Sequence, residues 1–212
     1  MFLFLLVWVL LSVQGVLAIY RETLTSTHNV FSVAFTSLTP TVNPEVTPVT
    51  NHIVINEVQT KGITASQDFV ELYNPTAAPI DMSGWKIRKR ISTGTESSLI
   101  VIPSSISISS HGYLLWANTL NGYSATLGAD LANTSSLADN NSIALLNASD
   151  VVIDQVSWGT GINQFKEGTG YPDNPGASQS IERKTGLDTD HNETDFLLRL
   201  LPSPKNKLSP PE

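Results

Sequence analysis

The chain has 212 residues, room for one domain with flanking segments, and 41% of them are apolar, enough for a core. A net charge of −7 argues against nucleic acid as a partner, because such binders carry a basic footprint. There is no cysteine, which excludes disulfides, a catalytic thiol and thiolate metal sites.

Residues 1–18, MFLFLLVWVLLSVQGVLA, are almost wholly apolar, and no charge occurs before Arg21. A run of this length predicts an N-terminal helix that is either a signal peptide or a membrane anchor. If it is not cleaved, the chain meets the membrane through residues 1–18. Residues 19–51 contain a Thr-rich stretch in which Pro40, Pro44 and Pro48 recur. Proline fixes φ and removes a donor, so this segment reads as an extended spacer.

From Ile53 onward the pattern is that of strands. Ile53–Val58 is β-branched and apolar. Asp68–Asn74 alternates, with Phe69, Glu71 and Tyr73 opposite Val70 and Leu72, and Pro75 ends it. Asp81-Met82-Ser83-Gly84 reads as a turn, after which Trp85 and Ile87 point inward and Lys86 and Arg88 outward. Further strands follow at 99–102, 106–108, 113–116, 142–146, 151–156 and 180–183, with loops at 117–141 and 159–178. About eight short strands separated by turn signals, with no amphipathic helix, predict an all-β sandwich.

Several polar residues invite chemistry. Glu57, Glu71 and Asp154 would serve a hydrolase if they converged in a cleft. The structural reading pairs Glu57 or Glu71 with a backbone donor or with Arg183, since a buried carboxylate needs a partner. Asp188, Asp190, Asn192 and Asp195 resemble the start of an oxygen-ligand calcium loop, although Glu193 stands where glycine is expected. Against that stands an Asx-rich turn with no cofactor. No G-x-S-x-G, H-E-x-x-H or P-loop occurs.

The order of motifs names a family. Asn56-Glu57, Asp68 to Asn74 with Glu71 inside, Asp81-Met82-Ser83-Gly84-Trp85, His111-Gly112-Tyr113, Asp154 to Trp158, Glu182-Arg183 and Pro202 to Asn206 occur in turn. Together they resemble the lamin tail domain, of the bacterial secreted type, over residues 52–206, leaving 207–212 as a disordered tail. The junction at Thr23, Thr25, Ser26, Asn29 and Phe31 resembles that of camelysin and TasA-like exported proteins. The resemblance implies an immunoglobulin-like fold and a non-catalytic module exported to the cell envelope, acting in binding, adhesion or attachment. Its partner would be a protein or glycan at the cell surface, met by loops that carry Tyr123, Phe165 and Tyr171. A hydrolase built on the strand carboxylates and a self-associating surface component are the alternatives.

Overall fold

A computed structural model describes residues 50–211 and, before them, the strands β1 (Ser12–Val13) and β2 (Val16–Leu17). The chain forms two units, Met1–Glu45 and Val46–Glu212. In the first, β1 and β2 pair antiparallel. The helix expected over residues 1–18 is therefore not supported where the chain is described, because Ser12, Val13, Val16 and Leu17 are extended. The remainder of that segment and the spacer to residue 49 lie outside the described residues. Among the described residues no helix is long and apolar enough to cross a membrane.

The second unit is a β-sandwich. A six-stranded sheet has the order β10 (Leu131–Asn133), β9 (Tyr113–Asn118), β4 (Phe69–Tyr73), β3 (Val54–Gln59), β13 (Ser180–Arg183), β14 (Phe196–Arg199). A four-stranded sheet runs β12 (Val152–Ser157), β11 (Ser142–Leu146), β6 (Lys86–Arg90), β7 (Glu96–Val101). β5 (Ile80–Asp81) and β8 (Ser107–Ile108) form a small ribbon. The predicted turn at Asp81 is present. Its carboxylate accepts from the Ser83 amide and hydroxyl, and Gly84 takes φ +75°.

The core explains the alternation. Ile55, Val58, Val70, Leu72, Leu114, Trp116 and Ile181 from one sheet share one apolar cluster with Ile87, Leu99, Ile143, Leu145 and Val156 from the other. Burying each such side chain stabilises the fold by about 1.5–3 kcal/mol. The register of β3 against β4 shifts between Ile55 and Glu57, a bulge at Asn56. The extra residue lets Ile55 and Val58 both reach the core and sends Glu57 to the opposite face.

That opposite face is also covered, so every residue of β4 and β9 is buried. Two pieces cover it. The first is α1 (Tyr123–Leu127), whose Tyr123 and Leu127 pack on Phe69, Leu115 and Ala117. The sequence reading made 117–141 a loop without helix, and α1 corrects it. Five residues are too few to display a helical period, and the flanking Gly122 and Gly128 mask it further. The second piece is the C-terminal segment beyond β14, which crosses the sheet. Residues 207–209, expected to trail away, turn back instead: Lys207 N donates to Asp130 and Ser209 N to the Asn206 carbonyl.

Candidate functional site

Arg183 faces inward from β13, beside Phe196 of β14, and its side chain is 0% exposed. Nη2 donates to both oxygens of Asp154, at 2.9 and 3.1 Å. Nη1 donates to Asp188 and Asp195, each at 3.0 Å, and Nε to the Ile55 carbonyl at 3.3 Å. The guanidinium also lies 4.7 Å from the centroid of the Phe196 ring. Arginine suits this place because its planar fork serves several acids at once.

The acids around it differ in state. Burial opposes ionisation of Asp188, but the hydrogen bond from His52 (3.0 Å) and the Arg183 charge outweigh it and hold the carboxyl down at about 2. His52 is raised in turn, chiefly by that bond. Glu167, whose Oε2 lies 3.9 Å from Arg183, is pushed up to about 9 by burial and by the nearby charges of Asp154 and Asp188. Asp154, Glu167 and Asp188 bring carboxylate oxygens within 4.8 Å of one another, in the spacing a metal would need. The guanidinium stands among them.

The four residues read as a calcium loop are divided by the fold. Asp188 and Asp195 both serve Arg183. Asp190 is exposed at φ +57°. Asn192 is buried in the single turn α2 (Asn192–Asp195), where its Oδ1 accepts from the amides of Ser157 and Glu167 and its Nδ2 donates to the Gln155 carbonyl. Glu167 and His52 were not singled out from sequence. Each lies in a loop with no periodic pattern around it, and only the fold brings them to Arg183.

The strand carboxylates do not gather into one cleft. Glu57 and Glu71 leave the outer face of the six-stranded sheet, whereas Asp154 lies in the other sheet, with Oδ2 accepting from the Ile55 amide at 2.6 Å. Glu57 accepts from Ser180 Oγ (2.5 Å) and the Ser203 amide (3.2 Å); Glu71 accepts from Asn56 Nδ2 (2.7 Å) and the Lys205 amide. The backbone-donor reading of these acids therefore holds, and the arginine goes to Asp154 instead. The other motif residues have local tasks. Asn74 Nδ2 donates to the carbonyls of Ala78, Ile108 and Ser109. Trp158 Nε1 donates to the Ala138 carbonyl, Glu182 pairs with Arg199 at 2.7 Å, and Trp85 packs on the core.

The three loop aromatics expected to meet a partner are each half-buried against the domain itself. Tyr123 accepts a hydrogen bond from Gln59 (2.7 Å), Phe165 lies under Arg90 at 3.9 Å, and Tyr171 bridges to Trp158. The basic side chains of β6 are likewise engaged: Lys86 with Asp150, Arg88 and Arg90 with Glu96, and Lys89 with the Ser136 carbonyl.

Among known proteins, the family model described as Lamin Tail Domain matches residues 47–160. No curated protein matches the chain. The family match ends before β13, yet β13 pairs with β3 and delivers Arg183. A match over more than half of the chain, on a sandwich of the immunoglobulin-like kind, shows that the chain belongs to the lamin tail domain family.

Proposed function

We propose that this lamin tail domain is a non-catalytic binding module, exported and held at or released from a bacterial cell envelope. The observation that carries the reading is the fate of its strand carboxylates. Glu57 and Glu71 lie beneath the C-terminal segment, and Asp154 is taken by a buried arginine. A general acid or base must reach a substrate proton, and none of these does so. What remains for contact is the loop surface of 117–141 and 159–178. Tyr123, Phe165 and Tyr171 hold these loops to the sandwich and keep their outer edges available to a protein or glycan. Export is supported by the apolar residues 1–18 and the Pro-spaced segment after them. No cofactor enters the reading.

The test is binding of the labelled full chain to intact cells and to isolated envelopes, scored beside Glu57→Gln. Binding that survives this substitution, with no soluble product released from the envelope, supports the module. Release of sugar or peptide fragments by the wild type, lost in Glu57→Gln and Glu71→Gln, would replace it with a hydrolase.

A further inference from the structure

On the outer face of the six-stranded sheet two acids stand side by side. Glu57 of β3 and Glu71 of β4 are direct partners in the ladder. Directly opposed residues have Cβ atoms about 5 Å apart, and two carboxylates so placed resist being charged together. Both residues are buried, Glu57 at 0% and Glu71 at 1% exposure.

The segment Pro202–Lys207 lies over them, and its amides donate at every second residue. Ser203 N reaches Glu57 Oε1 at 3.2 Å, Lys205 N reaches Glu71 Oε2 at 2.5 Å, and Lys207 N reaches Asp130 Oδ2 at 3.0 Å. Pro202 precedes the first of these amides and Pro204 separates the first two, and neither has an amide hydrogen to place, while Asn206 N turns to Ser209 Oγ. The segment is thus held largely through its backbone, by three acids. One acceptor is left over. Glu57 Oε2 is buried with no donor among the described residues. A buried carboxylate oxygen with no donor favours the neutral acid.

The other charged and titratable groups facing the pair are few. Glu182 of β13 and Arg199 of β14 act on Glu57 with opposite signs and pair with each other at 2.7 Å. From the segment itself, Lys205 Nζ bonds the Tyr113 hydroxyl at 2.9 Å and lies 4.5 Å from its ring centroid. From α1, the Tyr123 hydroxyl is engaged by Gln59.

We propose that Pro202–Lys207 is a latch closed by one proton shared between Glu57 and Glu71, and that loss of this proton frees the segment and bares the acidic outer face. Burial raises Glu57, and burial with the neighbouring Glu57 charge raises Glu71 to about 7; these outweigh the bonds from Ser180, Asn56 and the Ser203 and Lys205 amides and the Lys205 charge, which favour the ionised acids. Uncovered, both acids return toward ordinary carboxylate values, so the closed form binds the extra proton. The latch is closed in mild acid and loosens as pH rises through about 7.

The test follows amide hydrogen exchange of Ser203, Lys205 and Lys207 in the full chain by NMR, corrected for the intrinsic pH dependence of exchange. Protection falls about tenfold between pH 6 and pH 8 while the core amide of Leu72 stays protected, as one-proton linkage requires. Glu71→Gln keeps one acceptor oxygen but cannot ionise, and its fall in protection between the two pH values is diminished. Equal protection in the wild type at the two pH values overturns the proposal, as does an undiminished fall in Glu71→Gln. If that variant fails to fold, carbon-detected titration of the wild-type side chains decides. A pair taking up a single proton near neutrality supports the latch; two carboxyls both titrating below about 5, as ordinary glutamates do, overturn it.

Discussion

Arg183 shows what one side chain does in this fold. Its charge is wholly buried, and so is that of Asp154 beneath it. Charges taken out of water cost several kcal/mol each, and mutual attraction offsets this only where the geometry is complete. Arg183→Ala leaves Asp154 buried without its cation, and a loss of about 3–5 kcal/mol is expected in urea unfolding. Arg183→Lys should recover only a minor part, because a single ammonium cannot reach Asp154, Asp188 and Asp195 in the directions a fork does. A lysine variant as stable as the wild type would sink this account of the hub. The sequence displayed the letters of the hub but not its pairing. For Glu57 and Glu71 the sequence left both a backbone donor and Arg183 open as partners, and the fold takes the backbone donor. The bulge at Asn56 turns Glu57 outward, while Ile181 and Arg183 of β13 face inward. Nothing in a single sequence marks that bulge, since Asn56 reads as one more strand residue.

At the level of elements, the loop between β13 and β14 clamps the beginning of the domain. His52 donates to Asp188, and Thr50 Oγ1 accepts from the Asp188 amide. The sign of the pH effect differs for the two ionising partners. His52 is raised, so its contribution is complete below about 6.5 and is lost as pH rises through its folded value. Asp188 is lowered to about 2, so its contribution is complete above its ordinary value and is lost as pH falls toward 2. NMR titration should place His52 above its ordinary value in the wild type and return it there in Asp188→Asn. Strands were the most legible part of the chain. The strands predicted at 142–146 and 151–156 form the hairpin β11–β12, with Asp150 at φ +61° in its turn. The covering of the outer face was not legible. Phe69 and Leu72 lie on opposite faces, as the alternation predicts, and yet both are buried, because α1 and the C-terminal segment form a second roof. A roof without a period of its own leaves no trace in hydrophobic patterning.

For the whole molecule, the buried Asp68 and Glu71 and the half-buried Glu167 act on the pH profile in the same direction. Burial raises Asp68 and Glu71 to about 7, and burial with neighbouring charges raises Glu167 to about 9. A raised acid favours the folded state below its unfolded value, and that contribution is lost as pH climbs through the folded value. The thermal midpoint should therefore be higher at pH 6 than at pH 8.5. A flat profile, or one rising with pH, would contradict the burial of these groups. Metal is a separate matter. Asp188 and Asp195 are already paired with Arg183, so a calcium ion at that loop must displace a guanidinium. Scanning calorimetry in EDTA and in millimolar calcium should give the same midpoint, and a clear upward shift with calcium would restore the ligand reading of Asp188, Asp190, Asn192 and Asp195.

The pairing of β3 with β13 has a consequence for how the protein is made. β3 comes early in synthesis, and Gln59 then waits for Ser180 before that side of its sheet is filled. Contacts so distant in sequence form slowly and late. A nascent chain carries an open strand edge, and Asp154 without its counter-charge, until Arg183 has been translated. A message cut short before that codon leaves β3 without its partner strand β13 and Asp154 without its cation. It yields a chain with an uncompensated acid at its centre, left open to proteases, so completeness of the polypeptide is checked by the fold itself.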